Sequence, residues 1–164
     1  MEKASLDPVF LQELDLFVLQ NYIEDNSVIA KGLPKEYEEA ENYAKENRKS
    51  FMEVLAEMIE KYNKTGKEKL NNVSLYKKAN ISKQTYHKQF SKDRPSKDSA
   101  VSYALALELC VSDMEKLLAS AGWSLATNSK RDLMIRFCFL NKIYEYSEVC
   151  EILETKGEKK FRNL

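Results

Sequence analysis

Apolar residues in this chain recur mainly three or four positions apart, and no run rich in Val, Ile and Thr alternates with polar residues. The first spacing belongs to amphipathic helices and the second to strands, so the pattern provides for helices and gives a sheet little to build from. With 4 glycines and 3 prolines in 164 residues, breakers are few. The abundant Leu, Glu, Lys and Ala favour helix. The expected fold class is all-α.

Cap and breaker residues divide the chain. Asp7 and Pro8 open a first helix over residues 8–24, whose apolar face (Phe10, Leu11, Leu14, Phe17, Val18, Ile23) is wide. Residues 26–33 form a connector with Gly32, and Pro34 opens a long helical segment to residue 62, with a polar break at 46–50. Along it the stripe Tyr37, Ala40, Tyr43, Ala44, Phe51, Val54, Leu55, Met58, Ile59 and Tyr62 is expected to pack on the first helix or to form a dimer seam. A loop over 63–72 leads to a short helix at 74–79, a turn at Asn80-Ile81 and a second short helix from Ser82 to about residue 90. Pro95 and Ser96 open an apolar, buried helix, Ser112 caps the next and Gly122 ends it. Ser129 caps a further helix, and a last one spans 147–155 before a basic tail, frayed at its end. The domain reading is an N-terminal helical extension, 1–62, followed by a helical domain, 63–164.

Charge is unevenly placed. Residues 1–60 hold 6 basic and 14 acidic side chains (net −8), residues 61–100 hold 11 and 3 (net +8), and 101–164 hold 9 of each. Clustered Lys and Arg displace counterions from phosphates, so a basic face can bind nucleic acid on a chain of zero net charge. Two opposed blocks also suggest that the acidic front masks the basic middle.

Other functions find little material. Residues 133–140, the densest apolar stretch, contain Arg136 and are too short for a bilayer, and the N-terminus lacks a signal-peptide pattern, so no membrane and a cytoplasmic location are expected. Cys110, Cys138 and Cys150 form no metal or disulfide spacing, His87 is the lone histidine, and no phosphate loop or nucleophile elbow occurs. No cofactor, no metal and no enzymatic role are expected.

The order of short helix, Asn80-Ile81-Ser82, outward helix, Arg94-Pro95-Ser96, apolar helix and Leu109-Cys110-Val111-Ser112-Asp113-Met114 is similar to the lambda-repressor/Cro class of helix-turn-helix domains. Residues 95–109, with Leu117-Leu118-Ala119-Ser120-Ala121-Gly122-Trp123 and Ser129-Lys130-Arg131-Asp132-Leu133, more narrowly resemble a helical tail appended to some bacterial macro-domain proteins. The resemblance covers about residues 70–155, and the last two helices go beyond a minimal repressor domain. It implies that residues 82–89 are a recognition helix, with Ser82, Lys83, Gln84, Thr85, His87 and Lys88 facing groove or phosphate and Lys77, Lys78, Lys92 and Arg94 clamping the backbone. Gln84 suits an adenine edge, Lys83 or Lys88 a guanine edge or phosphate, and Thr85 a thymine methyl. Two positions differ from the family: Tyr76 replaces a small residue of the first helix, and Gln89 replaces an apolar anchor of the second.

The expected function is a DNA-binding transcriptional regulator whose partner is duplex DNA, acting as a homodimer through residues 1–62. The alternative is a helical protein-interaction module, in a phage-defence or ADP-ribose-signalling setting, that keeps the fold without reading DNA.

Overall fold

The computed structural model describes residues 7–23, 49–65, 68–92 and 94–162. Within them the chain is all-α: eight helices and no strand. They are α1 (Pro8–Asn21), α2 (Phe51–Asn63), α3 (Asn72–Lys78), α4 (Lys83–Lys92), α5 (Lys97–Ala106), α6 (Val111–Ser120), α7 (Lys130–Leu140) and α8 (Tyr146–Thr155). The connector at 26–33, the helix start at Pro34 and the stripe positions Tyr37, Ala40, Tyr43 and Ala44 lie outside the described residues.

Side chains start most of these helices where the sequence places caps. Asp7 accepts from the Val9 amide, Ser50 from Glu53, Ser96 from Ser99 and Ser129 from Asp132. The polar break at 46–50 thus ends in a working cap at Ser50. Three starts differ from expectation, that of α8 by one residue, at Tyr146. Helix α3 begins at Asn72 because Asn71 caps it reciprocally with Ser74, which places Ser74 inside the first turn. Helix α6 begins at Val111, and Cys110 stands at its cap position without a side-chain hydrogen bond. Leu109 and Val111 are both buried there, so packing rather than the Ser112 hydroxyl sets the entry. Ser129→Ala removes a conventional cap and should lower stability by about 1 kcal/mol in chemical denaturation. An unchanged midpoint would show that burial of α7 alone fixes its start.

Five helices end alike. After α3, α5, α6, α7 and α8 one residue takes a left-handed backbone: Asn80 (φ 58), Glu108 (φ 51), Gly122 (φ 81), Lys142 (φ 56) and Gly157 (φ 76). The next amide reaches back into the helix, as from Ile81 to Tyr76 O (2.9 Å), Leu109 to Ala104 O (3.2 Å) and Ile143 to Cys138 O (2.9 Å). This satisfies carbonyls that the helix itself leaves open and turns the chain sharply.

Helix α5 is the centre: every residue from Ser99 to Ala106 is buried, and α3, α6 and α8 pack around it. The N-terminal helices join the same core. Helix α1 lies against α7, with Leu14 and Val18 buried and Phe10 and Phe17 stacked on Phe137 at 5.3 and 5.1 Å between ring centres. The stripe Phe51, Val54, Leu55, Met58, Tyr62 is buried, but its main partner is α6 rather than the expected first helix.

Charged groups also tie the core. Arg136 on α7 pairs with Glu115 on α6, and both side chains are buried. Asp132 accepts from Lys97 (2.5 Å) and from the Ala126 amide (2.9 Å). Through Arg162 the basic tail is docked: Phe161 is buried against Tyr146 (5.5 Å), Arg131 donates to Lys159 O (2.7 Å), and the Arg162 amide donates to Asp98 (2.9 Å). The expected fraying concerns residues 163–164, outside the described ones.

Candidate nucleic-acid interface

Helices α3 and α4 are joined by Ala79-Asn80-Ile81-Ser82, and the left-handed Asn80 makes so short a link possible. Ile81 is buried beneath the turn. Ser82 caps α4, accepting from the Thr85 amide (3.1 Å) and donating to the Thr85 hydroxyl (2.9 Å). Both groups are therefore engaged in starting the helix.

The inner face of α4 is held by rings and one amide. Tyr86 is buried, stacked 4.9 Å from Tyr76 and 3.9 Å from Phe90. Tyr76, large where the resembled family has a small residue, serves as the ring on which α4 rests. Gln89 is also buried: its Nε2 donates to Ser99 Oγ (2.7 Å), and its Oε1 accepts from the Tyr103 hydroxyl (3.0 Å). A polar residue thus anchors α4 to α5 because α5 presents two matched polar groups.

The outer face is different in kind. Lys83, Gln84, His87 and Lys88 are exposed, and among the described residues none of their side chains forms a hydrogen bond or ion pair, the His87 ring alone touching Tyr86 (5.3 Å between ring centres). Spacings of four (Lys83 with His87, Gln84 with Lys88) set them side by side on one surface. Thr85 is half-buried at the edge of this surface. The side chain of Lys92 lies outside the described ones.

The flanking cations divide. Lys77 is exposed and lines, together with Lys78, a groove closed by Asn80, Tyr146, Glu151 and Lys160. Lys78 is engaged within the chain: its ammonium lies 3.1 Å from Glu68, 3.8 Å from Glu108 and 3.1 Å from the Tyr62 hydroxyl. Burial opposes its charge, but the bonds to Tyr62 and Glu68 more than offset this and hold its pKa above the usual lysine value. Glu68 is in turn held below the usual carboxylate range, by Lys78 first and Tyr62 second. Arg94 stacks 4.4 Å from the Trp123 ring centre and donates to Ala121 O (3.1 Å), while the Trp123 indole donates to Pro95 O (3.0 Å). That interlock braces the chain between α4 and α5.

The structure therefore brings Lys83, Gln84, His87 and Lys88 together on α4 and places Lys77 in the groove beside α8. It assigns Ser82 and Thr85 to capping, and Lys78 and Arg94 to internal contacts. The Ser99 and Tyr103 partners of Gln89 and the carboxylates around Lys78 escaped the sequence reading, since no local pattern links positions ten or more residues apart.

Among the described residues, no His, Cys, Asp and Glu cluster could hold a metal ion, and no helix is long and apolar enough to cross a membrane. Burial pushes the Cys138 thiol up to about 12, so it stays protonated at neutral pH. No family model, no curated protein and no solved structure matches the chain. The role of the exposed α4 surface has to come from its own chemistry.

Proposed function

We propose that this chain is a cytoplasmic, repressor-like helix-turn-helix regulator that binds duplex DNA through the outer face of α4. One observation carries the reading. The inner face of α4 is committed to the core, while the side chains of Lys83, Gln84, His87 and Lys88 make no hydrogen bond or ion pair among the described residues. A lysine beside groove-reading amide and imidazole groups suits a phosphate-flanked base edge. Lys77 adds a backbone contact at the turn.

Titrating labelled mixed-sequence duplex by anisotropy tests it. Binding should be present at about 50 mM salt and fall steeply by about 200 mM. Lys83→Ala with Lys88→Ala should flatten the log–log salt slope by about 0.9 for each phosphate that the two lysines neutralise in the wild-type chain. No binding at the lower salt would remove the DNA reading.

A single short helix reads few base pairs, so a homodimer through residues 1–62 belongs to this reading. Since α7 takes the inner face of α1, such a seam would use the exposed Val9, Leu16 and Leu19. Sedimentation as a monomer at every concentration would count against it. The same three residues favour the second reading, a helical protein-interaction module without DNA binding.

A further inference from the structure

Lys78 ends α3, four positions before the Ser82 cap of α4, and so closely precedes in the chain the helix assigned above to DNA. Its surroundings have a particular composition. Glu68 Oε1 lies 3.1 Å from its ammonium and Glu108 Oε2 3.8 Å, while the Tyr62 hydroxyl accepts from Lys78 (3.1 Å) and donates to Glu68 (3.0 Å). The Lys78 ammonium also lies 5.0 Å from the centre of the Tyr62 ring. Two carboxylates and a hydroxyl around one ammonium supply the charge and acceptors that a backbone phosphate would bring.

We propose that Glu68 and Glu108 occupy the place of a DNA phosphate at Lys78, forming an internal clamp that withholds this lysine from the interface until Glu68 gives way. The inference rests on the reading of α4 as the DNA-facing helix. The two carboxylates are unequally held. Glu108 sits in the left-handed turn that closes α5, with its side chain 29% exposed. Glu68 belongs to the segment between α2 and α3, with its side chain 55% exposed. Glu68 is therefore the half that yields and Glu108 the half that stays. A phosphate arriving at Lys78 exchanges one anionic partner for another, so the lysine contributes little affinity while the clamp is closed.

The clamp places the masking carboxylates at 68 and 108, not in residues 1–60 where the acidic block first suggested them. It also separates Lys78 from its neighbour Lys77, which no such pair restrains among the described residues.

The full-length chain carrying Glu68→Gln and Glu108→Gln keeps the shape of both side chains while removing their charge. Titrated against the same mixed duplex, it should bind more tightly than wild type, with a log–log salt slope steeper by about 0.9, equal to about a threefold larger loss of affinity between about 50 and 200 mM salt. Lys78→Ala should abolish that gain and leave the wild-type affinity nearly unchanged. Glu68→Gln alone, at the exposed end of the clamp, should give part of the gain and guards against a folding defect at Glu108. Wild-type binding with no gain in the Gln variants would overturn the clamp and leave the DNA reading standing. A gain that persists with Lys78→Ala would also overturn it, since general charge would then be the cause. If neither wild type nor variants bind duplex at the lower salt, the clamp and the DNA reading fall together.

Discussion

Replacing Arg136 by Met is expected to lower folding stability by about 3–5 kcal/mol, the usual cost of leaving one member of a buried ion pair alone. Arg136 sits on α7 with its side chain 9% exposed, and Glu115 on α6 is 1% exposed, so water can hydrate neither charge once the other is gone. Met fills a similar volume, which separates the charge from packing. Urea denaturation of the single variant should show the loss. Replacing Glu115 by Leu as well should restore most of it, because a well-packed apolar pair is often as stable as the ionic one. A single-variant loss under about 1 kcal/mol would mean that the α6–α7 interface admits water in solution.

Gln89→Ala should be nearly as disruptive and should reach the interface as well. The Tyr103 hydroxyl that donates to Gln89 belongs to a residue with no exposed surface. Burial also raises its pKa well above the ordinary tyrosine value, so it remains a donor. Stranding that donor costs about 1–3 kcal/mol, and the void left by the amide adds to this. Gln89→Leu with Tyr103→Phe removes both partners and should come close to wild-type stability. Duplex titration of the same set asks a second question. Gln89→Ala should weaken binding beyond its effect on unfolding, since the amide helps orient α4. Equal affinity in all variants would show that Tyr76, Tyr86 and Phe90 orient the helix unaided.

The contrast between local and distant contacts explains what the sequence made legible. Helix starts at Asp7, Ser96 and Ser129 follow from one side chain and the amide two or three residues on, and such signals lie within a short window. The turn at Asn80 and the stop at Gly122 were legible for the same reason, since Asn and Gly accept the left-handed backbone. Glu108 and Lys142 carry no such preference, so their turns were hidden, although the buried Leu109 directly after the first is the apolar residue such a closure tends to carry. On α4, the repressor resemblance pointed to Ser82, Lys83, Gln84, Thr85, His87 and Lys88, of which all but the half-buried Thr85 are exposed. It could not tell Lys77 from Lys78, because the difference is made by Tyr62, Glu68 and Glu108, which the fold brings in from other segments. The partner of Arg94 was hidden for a similar reason: Trp123 lies 29 positions away in sequence and meets it only through the packing of α6.

The repeated left-handed closures carry a consequence for how such a domain can vary. Four of the five, all but Gly157, stand between two helices, and in each the amide that follows the left-handed residue is already bound to a carbonyl of the helix behind it. Side chains at these corners can change, as Asn, Glu, Gly and Lys all occupy them. Spacing is less free, because an added residue would break the backward bond and re-aim the next helix. The architecture behaves like a jointed frame with fixed link lengths, in which variation falls on exposed faces such as the outer one of α4 and not on the length of the corners around it.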